Sequence, residues 1–326
     1  MKTLIIRNNF KMKHICVVTP CYNEEENVEA LYTAVKKQFS LLPQYEYSHL
    51  FIDNASKDNT AIILEQLAKR DSRVKVILNA RNFGHLRSPF HGMLSAPGDA
   101  VISMAADFQD PPDMIPIMLQ KWEEGNLSVI AVKTKSKENA LMFLIRKTYY
   151  SIVRHISEIQ SIDNYTGFGL YDRKVIEGMR RLNDPYPYIR GMISEIGYSY
   201  ATVEFTQPRR SRGITKNNFY TLFDLAMLGI TANSKVPLRI ATILGFIMSG
   251  ISMLVAIAYF ILKLVYWDTF SMGTAPAAIG IWFLGSLQLF FIGILGEYVI
   301  NIYTRVANRP HVFEKERINF DEKVEE

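Results

Sequence analysis

Along residues 1–210, short runs rich in β-branched and aromatic side chains alternate with longer runs in which apolar positions recur every three or four residues. The first pattern is that of a strand buried on both faces, the second that of a helix with one apolar stripe. Strands are predicted at 14–19, 47–52, 74–78, 100–105, 128–133, 169–171 and 199–205. Helices are predicted at 27–39, 60–69, 88–94, 112–123 and 139–158. Asn59 or Thr60 stands where a side-chain cap would open the second helix, and Pro111-Pro112 pre-set the backbone entering the fourth. The alternation predicts an α/β domain with a mostly parallel, Rossmann-like sheet covered by helices on both faces.

Further along, the pattern changes. Residues 240–262 and 269–296 contain no Asp, Glu, Lys or Arg. Each run exceeds the ~20 residues a helix needs to cross a ~30 Å hydrocarbon layer. They predict a hairpin of two transmembrane helices, at about 240–264 and 276–300. Lys235 and Arg239 precede the first helix, and Arg305, Arg309, Lys315 and Arg317 follow the second. The connecting stretch 266–276 has neither Lys nor Arg. That bias places both ends of the chain on the cytoplasmic side. Residues 217–233 carry Asp224 as their one charge, and 139–158 set Leu141, Phe143, Leu144, Ile152 and Val153 against Arg146, Lys147 and Arg154. Both stretches read as helices lying in the membrane interface. The expected organisation is an N-terminal extension at 1–13, a catalytic domain at 14–215, a juxtamembrane helix at 216–238, the hairpin within 239–302 and a cytoplasmic tail at 303–326.

Bulk composition is consistent with this split. In 326 residues, 48% are hydrophobic and 21% charged, and the mean hydropathy of +0.03 averages a polar domain with a greasy anchor. The net charge of +5 comes with basic residues near the apolar spans, so no nucleic-acid partner is expected. Cys16 and Cys21 fit neither a redox pair nor a zinc site and are expected to be reduced. Residues 1–13 are basic but lack a long apolar segment, which disfavours a cleaved secretion signal.

In a doubly wound sheet, ligands bind where loops converge at the carboxyl ends of the strands. Four polar loops fall there: Pro20-Cys21-Tyr22-Asn23-Glu24-Glu25-Glu26-Asn27, Asp53-Asn54-Ala55-Ser56-Lys57-Asp58-Asn59-Thr60, the stretch from Asn79 to His85, and Asp107-Phe108-Gln109-Asp110-Pro111-Pro112-Asp113. Carboxylates and amides so placed suit a ribose, a base edge and a divalent ion. The absence of GxGxxG and GxxxxGK[ST] loops disfavours a dehydrogenase or a P-loop enzyme.

Together with Asn82-Phe83-Gly84 and Arg209-Arg210-Ser211-Arg212-Gly213-Ile214-Thr215-Lys216, these loops resemble glycosyltransferase family 2. The likeness is to its polyprenyl-phosphate branch of bactoprenol glucosyltransferases and dolichol-phosphate mannose synthases, and with the hairpin it covers essentially the whole chain. It implies a GT-A fold, a nucleotide-sugar donor with Mg²⁺ or Mn²⁺, and transfer with inversion to a polyprenyl phosphate. Carried over, Pro20, Tyr22, Glu24, Asp53, Asn82 and Thr215 would bind the nucleotide-sugar, and Asp107 and Gln109 the metal. Arg209, Arg212 and Lys216 would close over the phosphates, and Asp163 would lie near the acceptor. The resemblance further implies a bacterial inner-membrane protein that makes a lipid-linked sugar for cell-surface glycans and assembles as a homo-oligomer such as a tetramer. UDP-glucose is the leading donor; UDP-N-acetylglucosamine, UDP-galactose and GDP-mannose are alternatives.

Two positions depart from the family pattern. Ala105 stands where the metal motif usually opens with Asp, and Asn54 where the nucleotide motif has its second Asp. Asp110 either compensates for the first or serves the turn before Pro111. The departures also leave open a catalytically impaired scaffold that binds nucleotide-sugar or lipid.

Overall fold

The computed structural model describes residues 12–133, 165–208, 236–266, 274–307 and 309–320. The predicted helix at 139–158 and nearly all of the juxtamembrane segment lie outside the described residues. The strands are β1 (Lys13–Cys21), β2 (Tyr45–Asp53), β3 (Val74–Asn79), β4 (Ala100–Ser103), β5 (Ser128–Lys133), β6 (Tyr165–Asp172), β7 (Tyr200–Phe205) and β8 (Glu314–Ile318). The helices are α1 (Val28–Ser40), α2 (Thr60–Arg70), α3 (Gly84–Ser95), α4 (Ile115–Glu123), α5 (Arg173–Leu182), α6 (Ile189–Ile196), α7 (Val236–Val265) and α8 (Thr274–Ala307).

All eight strands form one mixed sheet in the order β7-β5-β6-β4-β1-β2-β3-β8. Its centre, β4-β1-β2-β3, is parallel. β6 runs antiparallel between β4 and β5, and β8 runs antiparallel along β3. The apolar runs of the central strands face two layers of helices. Ile15 and Val17 of β1 pack with Leu31 and Phe39 of α1 and Met118 and Trp122 of α4. Their neighbours Cys16 and Val18 point the other way, toward Phe90 and Met93 of α3 and the apolar side chains of α5 and α6. α2 lays Leu64 and Leu67 on Phe51, Val76 and Leu78. Period-two alternation therefore buries both faces of one strand.

Several local expectations change in detail. Asn59 occupies the N-cap position of α2 but makes no side-chain cap bond. Asp58 Oδ1 accepts from Thr60 N at 3.0 Å and from Thr60 Oγ1 at 2.6 Å, and the Asn59 amide is engaged elsewhere. The helix expected from Pro112 opens as a 3₁₀ turn, Pro112–Met114, before α4. α5 and α6 were not expected, and neither was β8, which arises within the segment read as a tail. α5 has clear end signals, since Asp172 caps it by accepting from Lys174 N at 2.9 Å and Asn183 ends it in the left-handed conformation.

The sheet, its flanking helices and β8 belong to one compact unit, and α7 and α8 to a second. Among the described residues, two stretches are long and apolar enough to cross a membrane: Val236–Val265, with an 18-residue window of mean hydropathy 2.3, and Ile279–Ala307, with one of 1.9.

Candidate active site

Strand order reverses at β1, whose neighbours are β4 and β2. The crevice beyond the carboxyl ends of β1 and β4 is thus the expected ligand site of this topology. Three loops meet there, after β1, β2 and β4, and each contains one non-glycine residue in the left-handed region: Asn23 (φ 57°), Ala55 (φ 59°) and Phe108 (φ 59°). Such backbone costs about 1–3 kcal/mol per residue and persists where surrounding contacts over-determine it.

Those contacts are a lattice between the first two loops. Asn23 N donates to Ser56 Oγ at 2.9 Å, and Lys57 N donates back to Asn23 Oδ1 at 2.8 Å. Glu24 N donates to Thr60 Oγ1 at 2.8 Å. Glu25 Oε2 accepts from both Asn59 N (2.9 Å) and Asn59 Nδ2 (2.8 Å). Asp53, 2% exposed, sits at the floor. Its carboxylate accepts from Ser56 N at 3.0 Å and from the Ser56 hydroxyl. Burial pushes the Asp53 carboxyl above the usual range, while the Ser56 bonds pull it back.

Asn54 joins the second loop to the third. Its Nδ2 donates to Asn82 Oδ1 (3.0 Å) and Gly84 O (3.2 Å). Its Oδ1 accepts from Phe83 N (2.9 Å) and Asn79 Nδ2 (3.2 Å). Gly84 N closes the ring by donating to Asn82 Oδ1 at 2.8 Å. The amide here both donates and accepts, which a carboxylate cannot do. The departure at position 54 is thus a fitted part of this chain's network.

After β4 the chain turns tightly. Asp110 Oδ2 accepts from Ala105 N at 2.8 Å, and Asp107 Oδ1 accepts from Gln109 N at 3.2 Å. Both carboxyls are buried, at 5% and 6% exposure for Asp107 and Asp110. Burial, reinforced by the nearby Asp107 charge, pushes the Asp110 carboxyl up to about 7, against the Ala105 N–H bond and the charge of Lys133.

Residues 16–180, half of the chain, match the family described as Glycosyl transferase family 2. The chain belongs to that family. It is 35% identical over 297 residues to the SfII prophage-derived bactoprenol glucosyl transferase of Shigella flexneri, covering 91% of this chain and 96% of that one. An uncharacterized glycosyltransferase of Bacillus subtilis (strain 168) is likewise 35% identical over 297 residues, covering 90% and 91% of the two chains. Among solved structures, mannosyl-3-phosphoglycerate synthase from Rubrobacter xylanophilus aligns with a TM-score of 0.48 at 16% identity, covering 66% of this chain and 71% of that one.

As a family 2 glycosyltransferase, the protein gathers Pro20, Tyr22, Glu24, Asp53, Asn82, Asp107 and Gln109 along one edge of its sheet. Asp163, Arg209, Arg212, Thr215 and Lys216 lie outside the described residues. Among the described residues, no three His, Cys, Asp or Glu side chains form a metal cage. Asp107 and Gln109 supply hard oxygen donors. Such a set suits Mg²⁺ or Mn²⁺ held by one or two carboxylates jointly with substrate phosphates. The glycosyltransferase also has polar groups at this edge that sequence reading passed over. Lys133 ends β5, and Tyr165 begins the antiparallel β6, its hydroxyl bonded to that of Tyr171. The Arg190 guanidinium lies 5.9 Å from the centre of the Tyr165 ring. Lys133 closes a predicted strand, so its place at the carboxyl edge was readable; Arg190 reaches the site from the unexpected α6.

Proposed function

We propose that the protein transfers a hexose, UDP-glucose being the leading donor, to a polyprenyl phosphate at the cytoplasmic face of a bacterial inner membrane. The observation that carries this reading is one chain joining a family 2 catalytic sheet, with laced polar loops at its carboxyl edge, to two helices of membrane-crossing length. A relative named for bactoprenol glucosyl transfer aligns along nearly its whole length.

A lipid monophosphate has a second pKa near 6 and is already mostly a dianion at pH 7, so a general base adds little. One phosphate oxygen forms a bond to the anomeric carbon as the bond from that carbon to the diphosphate oxygen breaks. Configuration inverts and the nucleoside diphosphate leaves with the electron pair. Asp107 and Gln109 would hold the cation, with Asp110 fixing the turn that carries them. A bound divalent cation there neutralises charge on the departing diphosphate. Asp53, Tyr22, Glu24 and Asn82 orient the nucleotide, and Arg209, Arg212, Thr215 and Lys216 close on its phosphates. Asp163 would serve the acceptor side.

Chain connectivity supports the orientation. α7 follows the catalytic unit in sequence, and β8, which follows α8, pairs with β3 of that unit. An even number of crossings satisfies this, in accord with the Lys and Arg bias. The test is incubation of purified protein with labelled UDP-glucose, UDP-N-acetylglucosamine, UDP-galactose or GDP-mannose, undecaprenyl phosphate and Mg²⁺ or Mn²⁺. Label from UDP-glucose should move into lipid. No transfer from any donor, with Ala105→Asp restoring it, would assign the natural chain a scaffold role instead.

A further inference from the structure

Residues 309–320 return from α8 to the far edge of the sheet and strap the third polar loop in place. Ala80 N donates to Phe313 O at 2.8 Å. The Phe313 ring lies 6.3 Å from that of Phe83, over which the Arg81 guanidinium also sits, at 4.1 Å from the ring centre. Phe83 is 7% exposed and Phe313 61%, so Phe313 is the outer wall of this stack. His311 donates to Asp184 O at 2.8 Å and sets its ring edge-on to Phe90 of α3 at 5.0 Å. Glu314 pairs opposite Asn79, where the β3 ladder shifts register, and bonds with His91 of α3. Arg317 Nη2 donates to Glu314 Oε1 at 2.6 Å.

These contacts converge on a stretch, 79–91, that begins with Asn79 and includes Asn82 and Gly84. Asn79 Nδ2 bonds Asn54 and Ser88, and its Oδ1 is buried with no partner. A loop whose inner side is a closed ring of amides, whose outer side is held by Phe313 and whose following helix α3 is braced by His311 has little freedom to drift. Pre-organisation of that kind is what a binding loop needs.

We propose that the strap, through Phe313 and His311, is a positioning element for nucleotide-sugar binding: it holds the 79–84 loop in its binding geometry. The inference rests on the sugar-transfer reading above. It assigns donor affinity, and not acceptor affinity, to residues at the opposite end of the sequence from the nucleotide loops.

The experiment uses the full chain in detergent or nanodiscs and compares Phe313→Ala, Phe313→Tyr, His311→Ala and Lys315→Ala, the last on the exposed part of β8 as a control. UDP-glucose binding is read by calorimetry, and kcat, donor KM and undecaprenyl-phosphate KM by transfer. Phe313→Ala should raise the donor KM and Kd about tenfold while kcat, acceptor KM and Tm stay near wild type. Phe313→Tyr should restore them, and Lys315→Ala should change nothing. His311→Ala should shift the donor KM in the same direction, and it supplies the test if Phe313→Ala does not fold. Undiminished UDP-glucose binding by both alanine variants overturns the strap's role while leaving sugar transfer standing. So does an equal rise in both KM values with a fall in Tm. Failure of the wild-type chain to bind any nucleotide-sugar overturns the sugar-transfer reading itself.

Discussion

At the scale of single residues, Asn54 shows how a departure from a family pattern can be built in. Its amide donates to Asn82 Oδ1 and Gly84 O and accepts from Phe83 N and Asn79 Nδ2. Asn54→Asp would turn an acceptor toward two acceptors, and should cost about 1–3 kcal/mol of stability. Chemical denaturation of the purified protein checks this; an unchanged midpoint would mean the Asn82 amide turns over so that its Nδ2 donates to the carboxylate. The sequence disclosed the departure but not its meaning, because the partners lie 25 to 30 positions away. The placement of Asp53 and Asp107 at the carboxyl ends of strands was legible, since both follow predicted strands. The roles of Ser56 and Ser88 were not, because they depend on the turn bringing Ser56 back to Asp53 and on α3 presenting Ser88 to Asn79. At position 105 it is the backbone N–H that Asp110 holds; the structure gives no reason for the Ala side chain there.

Among the elements, the central parallel strands were readable because burial on both faces writes a continuous apolar run. β8 was not. Its sequence, Glu314-Lys315-Glu316-Arg317-Ile318, is four-fifths charged and resembles a solvated tail. An edge strand tolerates such charge, which also protects the edge from pairing with another chain. What holds it is the ladder to β3 and the group formed by His91, Glu314 and Arg317. Burial alone would raise the Glu314 carboxyl, but hydrogen bonds from Arg317 and His91 outweigh it and hold the group at about 2 against an ordinary 4.5. A depressed folded-state value contributes stability that is complete above about pH 4.5 and disappears as pH falls toward 2. Glu314→Gln should therefore lower Tm at pH 7, and its gap from wild type should narrow as pH falls below 4.5. Thermal unfolding across that range measures it; a gap independent of pH would mean that Glu314 acts only through shape.

For the whole molecule, the near-zero mean hydropathy resolves into a catalytic unit and a pair of long apolar helices, and those helices were the most legible feature because their uncharged length stands out in the sequence. The return of the chain to the sheet after α8, where β8 pairs with β3, was invisible in the sequence. On the proposed function, a donor soluble in water and an acceptor phosphate at headgroup level would have to meet, and the two membrane-length helices carried by the same chain as the catalytic sheet suit that need. The most direct measurement follows label from UDP-glucose into undecaprenyl phosphate, with Mn²⁺ present, for the wild-type chain and Asp107→Ala in parallel. The account predicts organic-phase label with the wild type and at least a hundredfold less, on the order of a lost transition-state contact, with the variant. Equal turnover by Asp107→Ala, or label that stays aqueous with every donor while UDP-glucose binds, would contradict it.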